Sequence, residues 1–184
     1  PRLSRACWRN KGRMMALDSR RTKIAALSVS AAAFVALVAH EGWTDRAVIP
    51  VKGDVPTVGP GLTKRPDGSP VQMGDTIKPV EGIQRSLAHI QKSEGALKRC
   101  VTGPLSQAEY DILVDFAYQY GEAAACKSGM VRAINAGDYA ASCEAYLKYR
   151  FVAGYDCSTP GNRRCWGVWT RSKERRDKCV EALG

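Results

Sequence analysis

Apolar and polar positions divide this chain into three stretches of different character. Residues 24–40, "IAALSVSAAAFVALVAH", contain no Asp, Glu, Lys or Arg and are rich in Ala and Ser. From residue 41 to residue 74 no period holds; Gly, Pro, Thr and Val dominate, and "GDVPTVGPG" and "RPDGSP" are turn signals, so short strands and loops are expected there. From Lys78 onward a helical period takes over. "PVEGIQRSLAHIQKSEGALKR" carries a Pro in its first turn and apolar residues at Ile83, Leu87, Ile90 and Leu97. "LSQAEYDILVDFAYQYG" has Ser106 and Glu109 in capping-box positions, an apolar stripe and a terminating Gly121. "SGMVRAINAGDYAASCEAYLKYRF" reads as two short helices broken at "NAGD", and "TRSKERRDKCVEALG" as a closing basic amphipathic helix. The pattern predicts an α+β protein, mostly helical, with a small strand-rich lobe and a larger helical lobe.

The run 24–40 comes directly after "DSRRTK". Basic residues ahead of an apolar segment favour a cytoplasmic N-terminal side and export of the chain beyond the segment. The run is at the lower end of the about 17–25 residues that span a bilayer, and Ala and Ser make it a weak anchor. A cleaved signal peptide, with "VALVA" as the cleavage region, and a buried core helix are the alternatives. The first residue is Pro, and Met14 and Met15 come later, so residues 1–23 read as a basic segment that is partly non-native or disordered.

Composition narrows the class. With 184 residues, 45% of them hydrophobic and 25% charged, the chain suits one domain with a real core. A formal net charge of +10 attracts polyanions: nucleic acid, anionic lipid or the bacterial envelope. No aromatic-interleaved RNA-binding pattern occurs, so no nucleic-acid partner is expected. Seven cysteines, without CxxC pairs or Cys/His clusters, point to an oxidising compartment and to no metal site and no cofactor. Cys7 is the odd one. Cys100, Cys126, Cys143, Cys157, Cys165 and Cys179 are disulfide candidates, with fifteen connectivities open. The favoured set closes Cys157 to Cys165 around "STPGNRR", joins Cys143 to Cys179, and leaves Cys100 with Cys126.

Two carboxylates invite attention. Glycoside hydrolysis needs a protonated carboxyl group for the leaving oxygen and a second group to activate water or stabilise charge. Glu41 comes at the end of the apolar run, where a carboxyl group tends to hold its proton, while Asp54 lies in a polar Gly-rich turn. Taken alone, the two are better read as a helix-end glutamate and a turn-forming aspartate.

The segment "HEGWTDRAVIPVKGDVPTVGPGLT" resembles the catalytic segment of phage-type lysozymes, in which Glu-Gly is succeeded by an Asp and then by Thr-Ile/Val-Gly-x-Gly-x-Thr. The likeness continues in order through "GDTIKP", "PLSQAEYDILVDFAYQYG", "VRAINAGDY" and "GVWTRSKERRDKC", covering residue 41 to the last residue. The resemblance implies a lysozyme-like fold over 41–184 and an endolysin muramidase that cuts the β-1,4 bond between N-acetylmuramic acid and N-acetylglucosamine in peptidoglycan. It implies Glu41 as general acid, Thr57 as the threonine that helps hold water or substrate, and Arg171 as an arginine paired with the glutamate. The aspartate departs from the pattern: the family spacing falls on Val51 counted from Thr57 and on Pro50 counted from Glu41. Asp54 is the nearest acid on the correct side, with Asp45 the rival. Some relatives carry a signal-arrest-release segment, which run 24–40 resembles; this implies export, a transient inner-membrane tether, release to the periplasm as a monomer, and entry of 24–40 into the soluble fold as a helix leading to Glu41.

Tyr118 and Tyr120 are expected to pack in the core, and His40 and His89 to serve structure or surface. No cysteine lies between residues 24 and 63, which argues against a thiol lock on Glu41. Two other activities fit less well: a lytic transglycosylase, for which Asp54 and Thr57 would be superfluous, and a non-enzymatic cationic protein that disrupts envelopes through its last helix.

Overall fold

The computed structural model describes residues 20–50 and 53–184. Cys7, Met14, Met15 and Val51 lie outside the described residues. The chain divides into two units: Val29–Glu94, and Gly95–Gly184 together with residues 20–28.

The apolar run does not form one helix. A single 3-10 turn, Ile24–Ala26, leads into an extended link, and helix α1 occupies only Ala31–Glu41. Local chemistry explains the break. Ser30 sits in extended backbone and its hydroxyl accepts the Ala33 N–H at 3.1 Å, so it caps α1. The link is also held from outside: the Val29 N–H donates to the Glu94 carboxylate at 2.7 Å, and the Ser28 carbonyl accepts from the Gln107 side chain at 2.8 Å. Among the described residues no helix is long and apolar enough to cross a membrane.

In Val29–Glu94, α1 ends at Gly42 and strand β1 (Thr44–Val48) begins almost at once. It pairs antiparallel with β2 (Thr57–Gly59), Thr44 opposite Gly59 and Val48 opposite Thr57, with an irregular register between. On the other side of β1 an extended segment closes the ladder: the Ala47 N–H donates to the Asp75 carbonyl at 2.8 Å, and the Ile77 N–H to the Asp45 carbonyl at 3.0 Å. Ala47, Val58, Val71 and Ile77 form the core beneath, with Leu62 against it. The predicted short strands and loops are therefore present.

Helix α2, Pro79–Cys100, buries a different stripe from the one its apolar residues suggest. Ile90 and Leu97 are fully buried, but Ile83 and Leu87 are 43% and 38% exposed, and Ser86 and Gly82 face inward instead. The bulk at that position comes from Trp43: a Cβ on Gly82 would stand 2.5 Å from its ring. A large aromatic from another element fills the space that a residue on α2 would otherwise take.

In the helical unit, α3 (Gln107–Tyr120) begins with the expected capping box of Ser106 and Glu109 and ends at Gly121. A short α4 (Glu122–Cys126) precedes α5 (Gly129–Asn135) and α6 (Tyr139–Ala145), which are separated by "AGD" much as the sequence suggests. Tyr110, Leu113, Val114, Phe116, Met130 and Cys143 are fully buried. The closing helix α7 runs Trp166–Leu183, starting earlier than expected. Between α6 and α7 lies a hairpin with no helical-period signal, β3 (Phe151–Val152) and β4 (Tyr155–Asp156). Its two-residue turn has positive φ at both Ala153 and Gly154, the geometry that matches strand twist.

Disulfides join Cys100 to Cys126, Cys143 to Cys179 and Cys157 to Cys165, with Cα separations of 5.7, 5.3 and 5.2 Å. All three lie within the helical unit.

Candidate active site

Glu41 is the last residue of α1, half-buried, at the point where the chain turns through Gly42 into β1. Its neighbour across the turn is the "TVGPG" segment that ends β2. A Cβ placed on Gly61 would come within 3.3 Å of Glu41 Oε2, and Gly61 has φ +75°. A side chain there would be strained by the positive φ and would crowd the carboxylate, so glycine suits the position. The carboxyl group is thus set beside a fixed stretch of main chain rather than left on a mobile loop.

Thr57 opens the same segment, paired with Val48. Its hydroxyl lies 3.5 Å from the Val48 carbonyl, at the long limit for a hydrogen bond. Asp54 stands three residues earlier, exposed, with Oδ1 accepting the Val55 N–H at 2.8 Å. Asp45 is not one turn beyond Glu41 on a continued helix, because α1 has ended; it lies on β1, exposed, and contributes its carbonyl to the ladder. Both acids therefore sit in the same unit as Glu41.

A second carboxylate network braces this unit. Arg65 holds Asp75 with two parallel bonds, Nε to Oδ2 and Nη2 to Oδ1, each 2.8 Å, and the Gln72 N–H donates to Asp75 Oδ2 at 2.9 Å. These charge-assisted bonds, the Arg65 guanidinium first, bring the Asp75 pKa from 3.8 down to about 2. Because the Asp75 carbonyl also receives the Ala47 N–H, the pair fixes the segment that flanks β1. Asp75 lies within "GDTIKP", one of the stretches that carry the lysozyme resemblance.

Arg171 lies on α7, half-buried, in the other unit and one turn before Arg175. The buried arginine of this helix is Arg175, whose Nε donates to Asp115 at 2.5 Å and Nη2 to Gln119 at 2.6 Å. Tyr120, half-buried, stacks on Phe116 with centroids 4.6 Å apart, and partial burial raises its hydroxyl pKa. Tyr118 is half-buried, and His40 and His89 are exposed. Among the described residues no group of His, Cys, Asp and Glu is arranged to hold a metal ion.

Sequence reading missed Trp43, Gly61 and Gly82. Gly61 had a signal, since it closes the Gly-Pro-Gly turn after Thr57. Trp43 and Gly82 had none, because a glycine inside a helical period is ordinarily only a weak position.

A model of the phage lysozyme family matches residues 38–172. The endolysin of Salmonella phage P22 is 30% identical over 130 residues, covering 71% of this chain and 88% of that protein. Among solved structures, an endolysin from the Escherichia coli O157:H7 phage FAHEc1 is similar with a TM-score of 0.72 and 26% identity, covering 85% of this chain and 96% of that one. A P22 lysozyme mutant is similar with a TM-score of 0.67 and 25% identity, covering 84% and 99%.

Proposed function

The chain belongs to the phage lysozyme family, and from that membership we propose that Glu41 is the acid with which it opens the glycan of bacterial walls. The activity itself, hydrolysis of peptidoglycan by a lysozyme, goes with the family and with the endolysin relatives. The finer reading concerns residues. Glu41 donates its proton to the leaving oxygen of the β-1,4 bond between N-acetylmuramic acid and N-acetylglucosamine. A water takes the place of the leaving sugar, oriented by Thr57 and made nucleophilic by a second carboxylate, Asp54. Arg171 is the supporting arginine that the likeness to the family assigns.

The observation that carries this reading is the setting of Glu41: helix-terminal, half-buried, and pressed against the glycine turn that begins at Thr57. A proton donor needs a fixed position relative to the bond it cleaves, and this setting supplies one. Asp54 is favoured over Asp45 because it leads directly into β2 on the Thr57 side and does not belong to the β1 ladder.

The test is product mass spectrometry on purified peptidoglycan. Hydrated muropeptides, lost in Glu41→Gln and in Asp54→Asn but retained in Asp45→Asn, fit the reading. Anhydro products would make the enzyme a transglycosylase. An active Glu41→Gln would remove the assignment altogether.

The enzyme acts as a monomer at the wall. Residues 24–40 tether it to the inner membrane before release to the periplasm; the burial of Ile24 and Leu27 supports a place for part of this segment in a soluble fold. Full activity in a form held at the membrane by that segment would end this part of the proposal.

A further inference from the structure

The hairpin between α6 and α7 leaves large apolar groups in solvent. Phe151, Val152 and Tyr155 are 57%, 42% and 49% exposed, Ala153 and Gly154 form the exposed turn, and no charge falls between residues 151 and 155. A two-stranded hairpin this short does not hold itself together in water. Here it is braced: the Cys157–Cys165 bridge closes its base, and the Cys157 N–H donates to the Arg150 carbonyl at 2.8 Å. The rim is cationic. Arg150 and Arg164 lie over the Phe151 and Tyr155 rings, exposed Arg163 precedes Arg164 in the chain, and the one acid, Asp156, is paired with Arg150 at 3.3 Å.

We propose that this hairpin is a docking finger for the surface of an anionic phospholipid bilayer. The apolar tip enters the interfacial region and the arginines meet lipid phosphates. Charge complementarity selects the occupant, since an apolar tip ringed by arginines suits an apolar phase bordered by phosphate. A sugar chain suits it less well. Stacking on a sugar needs an open ring face, and the Arg164 guanidinium already lies 4.2 Å from the Tyr155 ring centroid, with Arg150 5.4 Å from that of Phe151. Because the finger is braced before it meets a membrane, little ordering is lost on docking. This surface does not depend on Glu41 or on the tether of residues 24–40.

The experiment is flotation of the full chain with vesicles of phosphatidylglycerol and phosphatidylcholine, against phosphatidylcholine alone, at low and high salt. Binding is expected only to the anionic vesicles and weakens with salt. Phe151→Ser with Tyr155→Ser lowers the partition coefficient by about tenfold or more, from lost apolar insertion. Arg163→Ser with Arg164→Ser lowers it by roughly fivefold per charge removed. Lys127→Ser with Lys178→Ser, which removes the same charge from exposed positions on other elements, stays within about threefold of the parent, because basic residues act only near the membrane surface. If the aromatic pair fails to fold, Val152→Asp at the exposed tip takes its place with the same expected loss. Equal binding by the tip variants and the parent, or binding indifferent to lipid charge, overturns the proposal. So does loss of binding to purified sacculi with vesicle binding intact, which would make the hairpin a wall-polymer site.

Discussion

Arg21 and Glu109, 88 positions apart, form a two-pronged ion pair: Arg21 Nη2 lies 2.6 Å from Oε1 and Nε lies 2.9 Å from Oε2, with the side chains 3% and 5% exposed. The guanidinium also lies 3.6 Å from the Tyr139 ring centroid, and Glu109 accepts the Ser106 N–H that begins α3. One carboxylate therefore serves both the capping box and the anchoring of Arg21, next to the antiparallel bridge of Thr22 with Leu105. Removing one partner of such a pair strands a buried charge. Arg21→Ala is expected to lower unfolding stability by about 3–5 kcal/mol in urea titration. A loss under about 1 kcal/mol would mean that the pair is not buried in solution.

Gly61→Ala tests the seat of Glu41. The positive φ alone costs about 1–2 kcal/mol for a residue with a Cβ, and the new methyl group would stand 3.3 Å from Glu41 Oε2. The variant is expected to fold with a lowered melting temperature, and to lose kcat by more than its KM changes. Unchanged kcat in a folded variant would separate Gly61 from the chemistry.

Gly82→Ala tests the contact of the Trp43 ring, itself 40% exposed, with α2. A Cβ 2.5 Å from that ring forces the indole or the helix to move. Overpacking of this kind costs about 1–3 kcal/mol. The expected signs are a shifted tryptophan emission and partial recovery of stability in the double variant with Trp43→Leu. Additive losses in the two single variants would place the strain elsewhere.

Acid should weaken the strand-rich unit through Asp75. Its folded pKa of about 2 lies below the ordinary 3.8, so the Arg65–Asp75 pair contributes stability that is complete above pH 3.8 and disappears as pH falls through about 2. Asp75→Asn removes this dependence. Melting curves between pH 5 and pH 2, at intervals of about half a unit, should converge for wild type and variant at the acid end. Parallel curves would contradict the assignment.

The disulfides should rank by the chain they enclose. Cys143–Cys179 spans 36 residues and Cys157–Cys165 spans 8. The chain-entropy relation gives about 4 and about 2.5 kcal/mol respectively. Paired serine variants should therefore show the larger loss for the 143–179 pair in denaturant melts. The reverse order would mean that strain or residual structure outweighs chain entropy.

Local chemistry explains what was legible in advance. The Ser106–Glu109 box, the turn glycines of "GDVPTVGPG" and the break between α5 and α6 announce themselves because neighbours in sequence make the stabilising contacts. Elements fixed by distant contacts did not. The run 24–40 reads as one apolar helix, yet Glu94 and Gln107 hold its link extended. Ile83 and Leu87 read as core, yet Trp43 from another element occupies that space. At the candidate site, the pattern around Glu41 and Thr57 was visible as a resemblance, whereas the close approach of Gly61 depends on how α1 meets β2.

Residues 20–28 share a unit with Gly95–Gly184, while the intervening Val29–Glu94 forms the other. This arrangement bears on the order of folding. The sequence of the strand-rich unit is complete at residue 94, whereas residues 20–28 need partners that come later in the chain. Arg21 remains without its native partners until Glu109 and Tyr139 have been made. Closing so long a loop is slow, and exposed apolar residues meanwhile invite association with other chains or with a holding chaperone. The two ends of the helical unit thus make its assembly a late, long-range step, even though most of its helices depend on local sequence.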